Sequence, residues 1–181
     1  SENSGSCTSC PSGKYQSSRG SRSCLDCVLG KFGNSSISVA SDAHCEDCVP
    51  GKYQDQSGQS GCKTCEAGHR CEGGRRLRCA RGAFQAHTGQ SLCEPCPVGK
   101  FQDQTAQHGC QTCTAGKVTL FVGSHACREC DSGRFANITT KACESCAPGR
   151  YADVPGQDAC NDCTPCGIAG VQYRHGCTST S

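Results

Sequence analysis

The sequence predicts a small disulfide-rich fold: an elongated tandem array of short β-hairpin modules with little helix and no single globular core. One observation is composition, since the 181 residues include 22 Cys and 23 Gly and only 34% are hydrophobic even when Cys is counted. The other is a pair of cysteines, C-x2-C, that recurs along the whole chain. Too few ordinary apolar residues remain for a normal core, and cysteine above about 8–10% is typical of disulfide scaffolds made in an oxidising compartment. We therefore expect a secreted, extracellular or cell-surface protein.

Charge and hydropathy argue against several classes of partner. A net charge of +2 gives no general attraction to nucleic acid or membranes. No apolar run approaches the roughly 18–20 residues of a membrane span. The chain starts at Ser1 without a signal peptide, so we expect a mature or internal piece.

The cysteine pairs define a repeated module. They begin at residues 7, 24, 45, 62, 93, 110, 127, 143 and 160, mostly 17 residues apart. Glycine stands three residues after the second cysteine, as Gly13, Gly30, Gly51, Gly99, Gly116, Gly133 and Gly149. Two residues further on stands an aromatic, as Tyr15, Phe32, Tyr53, Phe101, Phe135 and Tyr151, with Val118 the exception. C-E-D-C-V-P-G-K-Y-Q-D-Q from Cys45 recurs as C-E-P-C-P-V-G-K-F-Q-D-Q from Cys93, which indicates duplication.

Each module is predicted to be one β-hairpin. The glycine permits a turn with positive φ, Lys-Tyr-Gln suits a strand, and a polar tip such as residues 57–61 reverses the chain. An isolated hairpin with one aromatic is marginal in water. A disulfide that closes a loop of about 15 residues contributes roughly 3 kcal/mol in the chain-entropy model, which supplies the missing constraint. We expect each module to contact only its neighbours.

The spacing favours one disulfide pattern, in which the second cysteine of each pair bonds the first cysteine of the next. This rule gives Cys10–Cys24, Cys27–Cys45, Cys48–Cys62, Cys96–Cys110, Cys113–Cys127, Cys130–Cys143 and Cys146–Cys160. Cys79–Cys93 repeats the glycine and aromatic spacing, and Cys65 then pairs with Cys71 across a loop too short for a hairpin. The predicted divisions are modules over 1–64, an irregular centre over 65–92, modules over 93–162 and a terminal module over 163–181.

The two ends suggest continuation into another copy. The pairing rule extends to Cys163–Cys177 and leaves Cys166 and Cys7 over. Residue 177 onward, joined to the first residues of the chain, reads as one Ser/Gly/Thr loop. Our hypothesis is that 181 residues form one period of a longer array or polymer, with Cys166 bonded to Cys7 of the following copy.

The pattern C-x2-C-x-x-G-x-[YF]-x8-C-x2-C resembles the ephrin-receptor-like cysteine-rich repeat, itself similar to the modules of tumour necrosis factor receptors. The centre, C-K-T-C-E-A-G-H-R-C-E-G-G, resembles a variant in which a short Cys-to-Cys loop precedes a full module. The end, C-x2-C-x2-C…Y-R-H-G-C, resembles a receptor module with two crossed bridges, which implies crossed pairing for Cys163 and Cys166. The resemblance implies a fold; family members serve as receptor stalks, adhesive proteins and matrix components, so function does not follow.

Chemical interpretations of the polar residues have plainer alternatives. Two C-x2-C pairs could form a zinc site, but a hairpin explains the Gly-aromatic insert better. Thioredoxin-like chemistry needs an alternating βα pattern, which the sequence lacks. Asp55, Asp103 and Asp153 fall one to a module and cannot supply the roughly six to eight oxygens that calcium prefers. We expect no catalytic residue, metal or cofactor.

Two surface features could contact partners. Guanidinium groups pair bidentately with anions, so a sulfated or carboxylated glycan or an acidic patch could bind the cluster Arg70, Arg75, Arg76, Arg78 and Arg81. A solvated irregular loop is the alternative. Asn34 and Asn137 begin N-x-[ST] sequons, where we expect N-glycans, and the abundant Ser and Thr leave room for O-glycans.

These patterns indicate a non-enzymatic extracellular structural protein. We expect one repeat unit of a disulfide-laddered, glycosylated fibre, stalk or surface coat, whose partners are copies of itself joined head to tail. A ligand-binding receptor or adhesin ectodomain is the alternative.

Overall fold

The computed structural model describes residues 9–18, 21–34 and 45–163. Across these ranges there is no helix, and 18 short strands pair in sequence order as two-stranded antiparallel sheets. Every sheet joins one strand to the next along the chain. This confirms the predicted array of short hairpins.

The chain divides into two compact units. The first comprises Ser1–Cys79 and Gln85–Cys93. Its strands form four hairpins: β1 (Lys14–Tyr15) with β2 (Leu25–Asp26), β3 (Lys31–Gly33) with β4 (Cys45–Asp47), β5 (Lys52–Tyr53) with β6 (Lys63–Thr64), and β7 (His69–Glu72) with β8 (Arg75–Arg78).

The second unit comprises Ala80–Phe84 and Glu94–Ser181. Its hairpins are β9 (Ala83–Phe84) with β10 (Glu94–Pro95), β11 (Lys100–Phe101) with β12 (Gln111–Thr112), β13 (Lys117–Val118) with β14 (Arg128–Glu129), β15 (Arg134–Asn137) with β16 (Ala142–Ser145), and β17 (Arg150–Tyr151) with β18 (Asn161–Asp162).

Disulfide bonds close the base of the modules. Within the described ranges the structure contains Cys10–Cys24, Cys27–Cys45, Cys48–Cys62, Cys65–Cys71, Cys79–Cys93, Cys96–Cys110, Cys113–Cys127, Cys130–Cys143 and Cys146–Cys160. These are the pairs that the spacing rule gives. Cys163 is also disulfide-bonded. Cys7, Cys166 and Cys177 lie outside the described residues.

Cystine supplies most of the buried apolar surface. Cys27, Cys65, Cys71, Cys79, Cys96 and Cys130 are fully buried, whereas the module aromatics are half-buried apart from Tyr53. Tyr53 packs with Cys65 and Cys71 into a small cluster, and Val118 packs with Cys130 and Ala136 into another. The disulfides therefore occupy the place of a conventional core.

Turn glycines extend the contacts beyond adjacent modules. The N–H of Gly51 donates to the carbonyl of Cys71, one module ahead, at 2.9 Å. A Cβ on Gly51 would collide with the carbonyl of Gly89, two modules ahead. In the second unit, a Cβ on Gly82 would collide with the carbonyl of Gly123, again two modules ahead. The expectation that each module contacts only its neighbours is therefore wrong, because modules without side chains at these turns approach closely enough to pack on the next but one.

The centre of the chain is regular rather than irregular. Strands β7 and β8 pair over four residues each, which equals the longest ladder in the second unit. Gly73 and Gly74 both have positive φ, 55° and 71°. Two such residues form the type I′ turn that matches the twist of a hairpin. The predicted irregular loop around the arginines was therefore wrong.

Candidate interaction site

A buried tyrosine organises the polar contacts at the centre of the first unit. The Tyr53 side chain is 3% exposed. Its hydroxyl donates to Oε1 of Glu66 at 2.7 Å, and Nη1 of Arg76 donates to the same carboxylate oxygen at 3.0 Å. The Arg76 guanidinium carbon lies 5.1 Å from the centre of the Tyr53 ring, within cation–π range. We call Tyr53, Glu66 and Arg76 the tyrosine clamp.

The clamp shifts the ionisation of its members. Burial, followed by the hydrogen bond to Glu66, raises the pKa of Tyr53. Burial acts to raise the pKa of Glu66 as well, but hydrogen bonds from Tyr53, the backbone and Arg76 outweigh it and lower that pKa. A lowered folded-state pKa means that the Glu66 contribution to stability is present above its unfolded pKa and is lost as pH falls through the folded value.

The five predicted arginines are divided between two structural elements. Four lie on the β7–β8 hairpin, whereas Arg81 belongs to the second unit. Arg76 is engaged by the clamp, and Arg70 pairs with Glu72 at 3.3 Å. That leaves two exposed guanidinium groups, Arg75 and Arg78. Side chains alternate along a strand, so these two lie on opposite faces of β8. An anion contact at these arginines stays a prediction.

Buried glutamines hold the hairpin tips, a role that the sequence analysis missed. Gln54, Gln85 and Gln102 are each 3–4% exposed and directly follow a module aromatic. The Gln85 amide donates to the carbonyl of Leu92 at 2.7 Å and accepts from the N–H of His87 at 3.0 Å. Gln54 and Gln102 make the same two bonds in their own modules. The recurrence of glutamine after the aromatic was the available signal.

The predicted glycosylation sites both follow strands. Asn137 ends β15, and its Nδ2 donates to Oε2 of Glu144 at 2.9 Å while its Oδ1 accepts from the N–H of Thr139 at 2.8 Å. The next residue, Ile138, is 79% exposed. Asn34 follows β3 and is exposed. Asn137 itself is half-buried, and a glycan at either position stays a prediction.

The described ranges contain neither a candidate metal site nor a candidate membrane span. No group of three His, Cys, Asp or Glu side chains in residues 9–18, 21–34 and 45–163 is arranged to hold a metal ion. None of the described segments forms a helix long and apolar enough to cross a membrane.

The turn-glycine and cystine pattern decides the family. The family model described as tyrosine-protein kinase ephrin type A/B receptor-like matches residues 1–43 and 82–130, just over half of the chain. The chain belongs to the ephrin-receptor-like family. No curated protein matches it significantly. Ephrin-receptor-like repeats are cysteine-rich, non-catalytic modules of extracellular type. The tyrosine clamp lies between the two matched segments.

Variants of the clamp should move the pKa of Tyr53 in opposite directions. Glu66→Gln removes a negative charge and weakens the hydrogen bond from the Tyr53 hydroxyl, so the pKa of Tyr53 in this ephrin-receptor-like chain should fall toward its ordinary value. Arg76→Gln removes a positive charge that stabilises tyrosinate, so the pKa should rise further. Titration of the Tyr53 ring resonances by NMR measures both. Arg75→Gln, on the opposite face of β8, is the matched control; shifts of one sign in both clamp variants would contradict the geometry.

Proposed function

We propose that the chain is one repeat unit of an extracellular, non-enzymatic structural protein that forms a disulfide-laddered, glycosylated fibre, stalk or surface coat. The observation that carries this proposal is the covalent ladder. Each module is closed by its own bridge, and with the exception of Cys71 to Cys79 the next bridge in the described ranges begins three residues later, as from Cys62 to Cys65 and from Cys110 to Cys113. Such a chain resists extension at nearly every module.

A continuous covalent path supports a load-bearing role. Tension that enters the module at Cys48 crosses directly to Cys62, whose Cα lies 5.8 Å away, and bypasses the hairpin between them. The hairpin and its polar surface then carry little load.

Linkage between copies completes the proposal. Cys166 of one copy bonds Cys7 of the next, and N-glycans at Asn34 and Asn137, with O-glycans elsewhere, cover the outside. The motivation is that the pairing rule uses every other cysteine. The link carries tension from copy to copy.

Non-reducing electrophoresis of the secreted chain tests this linkage. We expect a series of bands, the oligomer ladder, at multiples of the single-chain mass, which reduction converts to a single band. We also expect filaments of fixed period by electron microscopy. Cys166→Ser should abolish the ladder, and so should Cys7→Ser. Ser6→Ala, beside Cys7, is the matched control and should leave it intact. Monomers that carry free thiols at both positions would contradict the fibre and favour the receptor or adhesin ectodomain.

A further inference from the structure

One hairpin tip in the second unit has three consecutive large apolar residues, where the other described tips have at most one. Leu120, Phe121 and Val122 are 49%, 73% and 58% exposed, and they are the only run of three exposed large hydrophobic residues in the described ranges. The corresponding positions of other modules read Asp55-Gln56-Ser57, Ala86-His87-Thr88 and Asp103-Gln104-Thr105. Exposed apolar runs cost solubility and mark contact surfaces. We call residues 120–122 the apolar tip.

The fold does not require these side chains. Gly123 keeps the positive φ of the tip turn, 79°, as Gly58 and Gly89 do in modules with polar tips. The N–H of Gly123 also keeps its bond to the carbonyl of Cys96, at 2.8 Å, matching the bond from Gly89 to Cys65. The tip backbone is therefore the same with either kind of side chain, so the apolar residues need another explanation.

The same unit contains a mainly apolar cavity of about 200 Å³. Gly116, Val118, Ala136 and Ile138 line it, with the alkyl chain of Lys141 over Gly99 at one side. No residue of the apolar tip lines this cavity, so a copy does not fill its own. An apolar cavity of about 150 Å³ is large enough to bind benzene, so this one has room for a phenyl ring.

We propose that the apolar tip of one copy docks into this cavity of a second copy, with Phe121 as the inserted side chain. Tip and cavity are different surfaces of one unit, so the contact is heterologous and leaves a free tip and a free cavity on every pair. Repetition joins copies into open assemblies. This inference rests on the proposed fibre, to which it adds a non-covalent contact between copies.

The contact is weak between separate chains and effective in an array. Three side chains bury far less than the roughly 1,200 Å² of a stable interface. Copies already linked head to tail hold many tips and cavities at high effective concentration, so the contacts add as avidity. Asn137 lines the cavity, so the contact forms between copies whose Asn137 carries no glycan.

Sedimentation of the full chain with Cys7→Ser, Cys166→Ser and Thr139→Ala isolates this contact from the covalent link and from the glycan, because Thr139→Ala removes the sequon and leaves Asn137 in the cavity wall. We expect concentration-dependent association of this parent. Phe121→Ser, which removes the tip, should weaken it at least about tenfold. Ile138→Arg, which blocks the cavity at an exposed position, should do the same. Val154→Ser changes a 53% exposed tip valine of another module and should have no effect.

Mixing the two defective variants provides the decisive outcome. The Phe121→Ser chain keeps a cavity and the Ile138→Arg chain keeps a tip, so an equal mixture should form heterodimers that grow no further. No association of the parent, or no rescue in the mixture, would overturn the docking contact and leave the Cys166 to Cys7 ladder untouched. Binding of the parent to phosphatidylcholine vesicles through Phe121, without self-association, would overturn it in favour of a membrane contact.

Discussion

Pulled from its two ends, the oxidised chain should reach a maximum length of only about 16 Å per 17-residue module. The same 17 residues should reach about 60 Å when reduced, at roughly 3.3–3.6 Å per residue. The reason is the covalent path from Cys48 across 5.8 Å to Cys62 and then three residues to Cys65. Single-molecule force spectroscopy measures this limit directly.

Reduction under load should release the modules one by one. Each bridge with a sequence separation of 14 hides a loop that gains about 45 Å when the bond is cleaved. Cys65–Cys71, with a separation of 6, should give a visibly shorter step. Cys48→Ser with Cys62→Ser should remove one long step and leave the rest. Long steps in the unreduced wild-type chain would contradict the ladder as a load path.

Alanine at a turn glycine should be among the most damaging single substitutions. Gly51 and Gly82 have φ of 84° and 79°, and a Cβ at either would meet a backbone carbonyl that has no side chain to move. Left-handed backbone costs a non-glycine residue about 1–2 kcal/mol, and forced overlap adds about 1–3 kcal/mol. We expect Gly82→Ala to lower the free energy of unfolding by about 2–5 kcal/mol and to reduce the yield of correctly bridged protein.

Two other glycines provide matched controls for this prediction. A Cβ at Gly61 or Gly109 would have no heavy atom within 4 Å, and neither glycine has positive φ. Gly61→Ala and Gly109→Ala should leave thermal unfolding of the oxidised protein within about 0.5 kcal/mol of wild type, or stabilise it slightly by restricting the unfolded chain. Equal damage in both sets would show that the close approach of alternate modules has no energetic weight.

The repeat and its bridges could be predicted because they follow from local spacing. A hairpin of the length between Cys96 and Cys110 brings its two ends together, so the cysteines that flank it are near in space whatever surrounds them. The hairpin at Gly73-Gly74 could have been predicted in the same way, since two adjacent glycines are a turn signal.

The remaining features depend on how modules pack, which spacing does not encode. Tyr53 and Arg76 are 23 residues apart and meet because β5 packs beside β8. The approach of Gly51 to Gly89 depends on how these two modules pack across the module between them. The cavity beside Val118 involves residues from four successive modules, among them Gly99 and Asp158. None of these distances is visible in a pattern of cysteines.

One of the peptide segments that join consecutive disulfides is longer than the others. Other consecutive bridges in the described chain are three residues apart, but eight residues separate Cys71 from Cys79, and β8 lies in this span. The segment from Cys71 to Cys79 can extend to about 27 Å while every disulfide stays intact. The tyrosine clamp opposes this lengthening, because the hydrogen bonds from Arg76 to Tyr53 and Glu66 must break before β8 separates from β7. We therefore expect this segment to lengthen under load before any disulfide is cleaved.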